Sequence, residues 1–440
     1  MVAVVQRVRE SFWAVPTLLC VAAAVLALVL VEVDRALLGV QVLEGVDVLY
    51  RVGADGSRSL LSAIAGSVLA AASTTFSITI AVLALTSSAF GPRLVRNFMA
   101  DRVNQAALGT FLATFLYSLL VLRAIRTISG TETDEAFVPH IAVNVAMLLA
   151  IVSIATLVWF IHHISDSIQV WTLARRVRGE LRRTIDDLYP DRRGTGEERA
   201  EPELADPGPV TLRVRSDDAG YVLTVALDDL VHHAEEHDVL VRLRVRPGDF
   251  VVEGQELAHV HGTVRDAEDL VGCVRPAVVL APSRNPAQDV GFAVQLLLDM
   301  LARALSPGTN DPYTARTALD DLSDGLAAMA RRSRPPERHT DDDGTVRVVA
   351  PTIRLPELLE TVVDTVRAYG LPHPDVVVRT VRLIGQVADD ADRADLPALG
   401  AQLDVLLDHH ARTQPYPRDR ERVLAAAEEA RASLPATPAL

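Results

Sequence analysis

Lysine is absent from this chain, so all 43 of its basic residues are arginine. That absence excludes a Schiff-base lysine, a P-loop lysine and any lysine-borne biotin or lipoyl group. Cysteine is nearly absent too, with Cys20 in an apolar run and Cys273 far along the chain. Two cysteines build neither a disulfide framework nor a four-cysteine zinc site. Aromatic residues amount to only 5 % of a chain that is 49 % hydrophobic. Positive charge is scarce where nucleic acid would need it. Residues 191–440 carry 28 arginines against 43 acids, a net of −15. Contacts to a phosphate backbone require clustered cations, so no nucleic-acid partner is expected.

Long apolar runs fill the first part of the chain, where residues 1–190 are nearly neutral with 15 arginines and 14 acids. A helix needs about 20 mostly apolar residues to cross the hydrocarbon core. Four stretches meet that length: Trp13–Val33, Leu60–Phe90, Gln105–Leu122 and Val138–Ile161. The lipid bilayer is therefore the expected surroundings of this part. The first stretch has the basic start of a signal peptide (Arg7, Arg9). Its apolar part is longer than a typical signal core, and no small-residue cleavage site follows it before Glu32. It reads as a retained helix.

Arginine placement sets orientation, because positive flanks stay in the cytoplasm. Arg7, Arg9, Arg93, Arg96, Arg102, Arg175, Arg176, Arg178, Arg182 and Arg183 flank one side, against five arginines on the other. Four spans in a bacterial inner membrane, with both termini cytoplasmic, satisfy this bias. The acidic half is then cytoplasmic, in keeping with unpaired cysteines.

The second stretch is unusual in length and composition. Leu60–Phe90 as one helix is about 45 Å long, more than a core of about 30 Å. At helical spacing Ser67, Ala70, Thr74, Ser77, Ala81, Ala84 and Ser88 share a face. Small residues let helices approach closely. Hydroxyls also replace water around a permeating species. The candidate site is thus a pore or packing face made by Ser67, Thr74, Ser77, Ala84 and Ser88.

Ser165–Leu188 continues as a juxtamembrane helix bearing an arginine cluster, which suits contact with anionic lipid. The charged, turn-rich stretch 191–208 reads as a linker. VTLRVR, GYVLTVAL and VLVRLRVR read as strands, with FVVEGQELAHV returning as the hairpin partner of the last. Pro286–Leu305 reads as a helix with Asn285 as N-cap. A second helix begins at Pro312, capped by Asn310 or Asp311. RRSRPPERHTDDDG reads as a loop, VRVVAPTIR as a strand, and four helices follow. The fold class is a membrane α-helical part of four transmembrane helices plus a cytoplasmic α+β domain with a helical C-terminal part. Boundaries fall at 1–164 (spans), 165–209 (helix and linker), 210–282 (small β-rich domain) and 283–440 (helical domain).

Candidate chemistry is sparse. His233, Glu236 and His237 match an H-x-x-E-H zinc motif, but the helix is short and no third ligand is evident. His259 and His261 alternate on a strand and so share a face, and by spacing alone they could complete a site with His233 and His237. His162 and His163 end the fourth span, an interfacial position with pH sensing as the sharper alternative. No phosphate loop or nucleophile elbow occurs. No metal, cofactor or enzymatic activity is expected.

Several long segments carry a resemblance. TTFSITIAVLALTSSAFGPRLVRNFM, GYVLTVALDDL, RPGDFVVEGQEL and RNPAQDVGFAVQLLLDMLARALSPGTNDPYTARTALDDL resemble the family of bacterial membrane proteins called domain of unknown function 2254. The resemblance implies a multipass inner-membrane protein with a cytoplasmic domain and brings no activity with it. The functional expectation is a homo-oligomeric channel or transport-related protein regulated by its cytoplasmic domain, whose own ligand is unknown. The competing reading is a membrane-anchored sensor or scaffold without conduction.

Overall fold

The computed structural model describes residues 13–37, 53–90, 102–125, 137–167, 170–191, 202–204, 206–414 and 416–434. The chain divides into two compact units, Met1–Thr172 and Leu173–Leu440.

Among its described residues the first unit holds four helices, each long and apolar enough to cross a membrane: α1 (Ala14–Leu37), α2 (Ala54–Phe90), α3 (Arg102–Ala124) and α4 (His140–Ser167). Consecutive helices run in alternate directions, and polar contacts fix this. At the end of α1, Asp34 accepts hydrogen bonds from Ile141 N (3.1 Å) and Ala142 N (3.0 Å) at the start of α4. Near the start of α2, Arg58 donates to the carbonyl of Ile125, just past α3 (3.0 Å). A helix N-terminus leaves N–H groups unpaired and favours negative charge, so a carboxylate there is stabilising. Asp34 is a transmembrane-end acid whose charge is used as a cap on a neighbouring helix.

α3 is the central helix and packs on all three others. A Cβ at Gly109 would lie 3.0 Å from Pro16 Cα, so this glycine permits the close crossing of α1 and α3. Polar groups in the interior pair with one another. Thr114 and Ser153 share a hydrogen bond of 3.0 Å, and Tyr117 donates to Ala142 O at 2.9 Å.

The second unit opens with α5 (Val170–Leu188), most of which lies within it. The rest runs β1 (Val210–Arg215), β2 (Gly220–Val225), α6 (Leu227–Glu236), β3 (Leu240–Leu243), β4 (Phe250–Val251), β5 (Glu256–His261), α7 (Ala267–Ala277), β6 (Val278–Ala281), α8 (Val290–Ala304), α9 (Pro312–Ala330), β7 (Arg338–Thr340), β8 (Val346–Val349), α10 (Leu355–Tyr369), α11 (Pro374–Ala388), α12 (Leu396–Thr413) and α13 (Pro417–Arg431). One sheet has the order β1-β5-β3-β8-β7 and the other β4-β2-β6. All pairings are antiparallel except β3 with β8. Val214, Val241, Ala258, Val260 and Val348 form one core with Leu230 and Ala234 of α6.

Three local readings of the sequence change. FVVEGQELAHV is not one returning strand. Phe250–Val251 joins β2, and Gly254 (φ +79°) turns the chain so that only Glu256–His261 pairs with β3. α8 begins at Val290 under Asp289, not at Pro286 under Asn285. Arg284 grips both oxygens of Asp289 (2.7 and 2.8 Å), which aims the carboxylate at Phe292 N (2.9 Å). Asn285 instead bonds Ala287 N in a local turn. The presumed loop after α9 contains β7, whose residues pair with β8. The five-stranded sheet therefore takes two strands from beyond residue 282.

Candidate functional site

α2 buries one face and exposes the other. Leu61, Ile64, Val68, Ala72, Thr75, Thr79 and Val82 are buried, at spacings of three and four, where α2 packs on α3 and α4. The face read from sequence is the opposite one. Ser67, Ala70, Thr74, Ser77, Ala81 and Ala84 are all exposed on the single chain. The side chain of Ser88 lies outside the described residues.

The other helices give this exposure its meaning. α1 exposes Leu18, Val21, Val25, Leu28 and Val29, and α4 exposes Leu148, Ile151, Ile154, Val158 and Ile161. Those are bulky side chains suited to lipid. Among its described side chains α2 exposes four large residues, Leu69, Phe76, Ile78 and Ile80, beside a longer row of serine, threonine, alanine and glycine. Along the row, Thr74 donates to Ala70 O (3.0 Å) and Ser77 to Ser73 O (2.9 Å). Each hydroxyl proton is thus satisfied within the helix, while its oxygen remains available as an acceptor.

α5 carries the chain out of the first unit and is clamped onto the second. Ala174, Val177, Leu181 and Ile185 form its buried stripe. Leu181 sits against Gly325 of α9, where no Cβ fits. Arg178 pairs with Asp321 (3.1 Å), and Arg182 grips Asp324 with two bonds of 2.9 and 2.6 Å. Thr184 donates to Pro286 O (2.8 Å) and Tyr189 to Ile353 O (2.9 Å). Burial pushes the Asp321 carboxyl above its ordinary range, against the opposing pull of Arg178. Asp324 also lines a polar cleft of about 420 Å³ between α9 and α11. In that cleft Arg379 pairs with Asp320, and Arg331 with Asp390 at 3.0 Å.

The zinc motif is dispersed. His233 contacts Glu236 (3.2 Å), whereas His237 turns to Asp269 of α7 (3.2 Å). α6 packs on the sheet face carrying Val241 and Val260. His259 and His261 occupy the opposite face, by strand alternation. Among the described residues no group of three or more His, Cys, Asp or Glu converges as a metal would require. At the end of α4, His163 stacks at 6.1 Å from Trp159.

The segments that looked most specific in the sequence turn out to meet each other. RPGD and RNPAQD are joined where Gly248 (φ +95°) lies against the Asp289 carboxylate, 2.6 Å from where its Cβ would stand. Gln288 accepts from Val225 N of β2 (2.9 Å), and Arg246 of the same turn pairs with Glu357 of α10 (2.8 Å). This knot fastens the sheets to the helices. Nothing in the strand or helix patterns foretold it, because its partners are 41 to 111 residues apart.

The family model described as "Predicted membrane protein (DUF2254)" matches residues 9–386. The chain belongs to the DUF2254 family. DUF2254 relatives include uncharacterised proteins of Mycobacterium tuberculosis strain H37Rv and of Mycobacterium bovis. Each is 30 % identical over 392 residues, covering 88 % of this chain and 74 % of the relative. No solved structure matches the chain. As a DUF2254 member it is a membrane protein with four spans at its N-terminal end, followed by a unit of sheets and helices.

Proposed function

We propose that this DUF2254 protein is a homo-oligomeric channel or transport-related protein of the bacterial inner membrane. Both termini and the second unit are cytoplasmic, and that unit regulates the spans through α5. No enzymatic step is assigned to it. The observation that carries this reading is the exposed row from Ser67 to Ala84. It offers little bulk to lipid, whereas α1 and α4 expose rows of leucine, isoleucine and valine. A row of small hydroxyl residues suits a neighbouring copy or a wet path. The clamp of α5 on α9 supports the regulatory part, because it fixes, within the second unit, the helix that follows the last span in the chain.

A scaffold without conduction is the second reading. It is favoured by the hydroxyl protons of Thr74 and Ser77, which are already bonded within α2 and need no water. One experiment separates the two. In a background with Cys20→Ala and Cys273→Ala, Ser77→Cys is treated with a water-soluble thiol reagent in membranes. Labelling indicates a wet path and conduction. Protection, together with oligomer loss in Ser77→Leu, indicates packing. If Ser77→Leu changes neither assembly nor flux, the face has no such role. Reporter fusions after Val40, Met99, Thr131 and Leu181 should read outside, inside, outside, inside. Any other order refutes the orientation.

A further inference from the structure

α5 has one face engaged and one face bare. Residues 173–183 hold five arginines against one acid, Glu180. Arg178 and Arg182 are turned to α9, where Asp321 and Asp324 neutralise them. The other three, Arg175, Arg176 and Arg183, are exposed and make no hydrogen bond or ion pair with a described residue. At 3.6 residues per turn they fall on the side opposite the buried Ala174, Val177, Leu181 and Ile185.

The acids nearby do not cancel this charge. Glu180 is half-buried at the flank of the face, and burial pushes its carboxyl above the ordinary range against the pull of Arg176 and Arg183. Asp186 is held by Arg332 at 2.7 Å. Asp187 is exposed one turn beyond Arg183, so the positive charge gathers in the first half of the helix, at Arg175 and Arg176.

The chain brings that half directly after a span. The fourth span ends at Ile164, and Trp159, exposed in its last two turns, stands where indole rings favour the headgroup layer. α4 runs to Ser167 and α5 starts at Val170, so two residues join the helix of the span to the helix of the arginines. Between Ile164 and Arg175 the sequence has one acid, Asp166, and a further tryptophan, Trp171.

We propose that Arg175, Arg176 and Arg183 dock the second unit on the anionic phospholipid headgroups of the bilayer. A guanidinium fork matches the oxygens of a lipid phosphate. Arginines clustered immediately after a span are the charge pattern that an anionic surface attracts. The five arginines of α5 thus divide by role, two holding α9 and three facing lipid. The assignment rests on the four spans lying in a bilayer, and not on conduction or on which side of the membrane the second unit occupies.

The test uses the full-length protein in nanodiscs, in a background with Cys20→Ala and Cys273→Ala. Gly179→Cys is the reporter position, because it lies on the bare face between the arginines and nothing stands within 4 Å of where its Cβ would be. A bimane label there is quenched by phosphatidylcholine carrying a nitroxide on its headgroup when the face meets the bilayer. With the nitroxide lipid held constant, quenching should be strong in discs rich in phosphatidylglycerol and weak in discs of phosphatidylcholine alone. Added salt should reduce it by screening. Replacing Arg175, Arg176 and Arg183 by glutamine should lower the ratio of docked to undocked α5 about fivefold for each residue. Replacing the same three by lysine keeps the charge and should keep most of the quenching. Arg382→Gln, an exposed arginine of α11, should behave as the wild type does. Equal quenching in both kinds of disc, or quenching unchanged in the triple glutamine variant, overturns the proposal. An equal loss in the lysine and glutamine variants, or a lower melting temperature of the glutamine variant in phosphatidylcholine discs, assigns these arginines to the folding of α5 and also overturns it.

Discussion

His410 of α12 is 2 % exposed, and neither ring nitrogen has a hydrogen-bond partner. Burial holds its pKa below the ordinary 6.5, and the charge of Arg420 adds to that, with Asp419 opposing. His339, beneath α6, is shifted the same way by burial. An unfolded histidine titrates near 6.5, so below that pH the unfolded chain binds more protons than the folded one. Stability is complete above about pH 6.5 and falls as the pH drops from there towards the lowered folded values. Asp311 and Asp341 have carboxyls held below 3.8 by hydrogen bonds from Thr314 and from Arg347 respectively. Their contribution is full above that value and is lost only as the pH falls beneath it. Between pH 6.5 and 5 the histidines drive this fall, while the raised carboxyls of Asp321 and Glu180, which hold their protons more readily in the folded chain, oppose it at the acid end. Melting temperature should fall across this window, and His410→Leu should flatten the fall. A melting temperature constant from pH 7.5 to 5.5 would contradict this.

At the scale of elements, the docking of α5 depends on Gly325. A methyl group there would collide with Leu181, whose Cγ stands 2.9 Å from the ideal Cβ position. Gly325→Ala should cost about 1–3 kcal/mol, the usual penalty of overpacking. Gly400→Ala in α12, with nothing within 4 Å, should be neutral or slightly stabilising. Chemical denaturation of both variants checks the contrast, and equal stabilities would mean that α5 does not rest on α9 as described. Elements like these differ in how openly the sequence declares them. The four spans were legible from the length of their apolar runs, and α9 from Pro312 behind a capping Asp311. The exposed face of α2 was legible as a row of small residues, because helical spacing alone defines a face. α7 and β6 escaped notice: Pro276 interrupts that helix in its last turn, and β6 is only four residues long. β7 was hidden in a stretch of arginine, proline and aspartate because its pairing comes from β8, not from its own composition. The alignment of Arg213, His259, Arg242 and Arg338 across the sheet was invisible for the same reason. It exists only once five strands from residues 210 to 349 come into register.

For the whole molecule, two separate cores are the governing fact. Leu173–Leu440 buries its own apolar residues and closes its own sheets, so it should fold without the spans. Expressed alone, it should unfold cooperatively in urea, seen by circular dichroism. A gradual transition would show that the spans complete its core. The parallel pairing of β3 with β8 joins Val241 to Val348, residues more than a hundred positions apart. Translation makes that separation a delay. At about 5–20 residues per second, β8 leaves the ribosome some 5–20 s after β3. Until then β3 has an open edge beside Val241 and Leu243, the kind of edge that pairs with other chains. Nascent copies crowded on one stretch of membrane would meet while that edge is bare, so the yield of folded protein should depend on how densely its messages are translated.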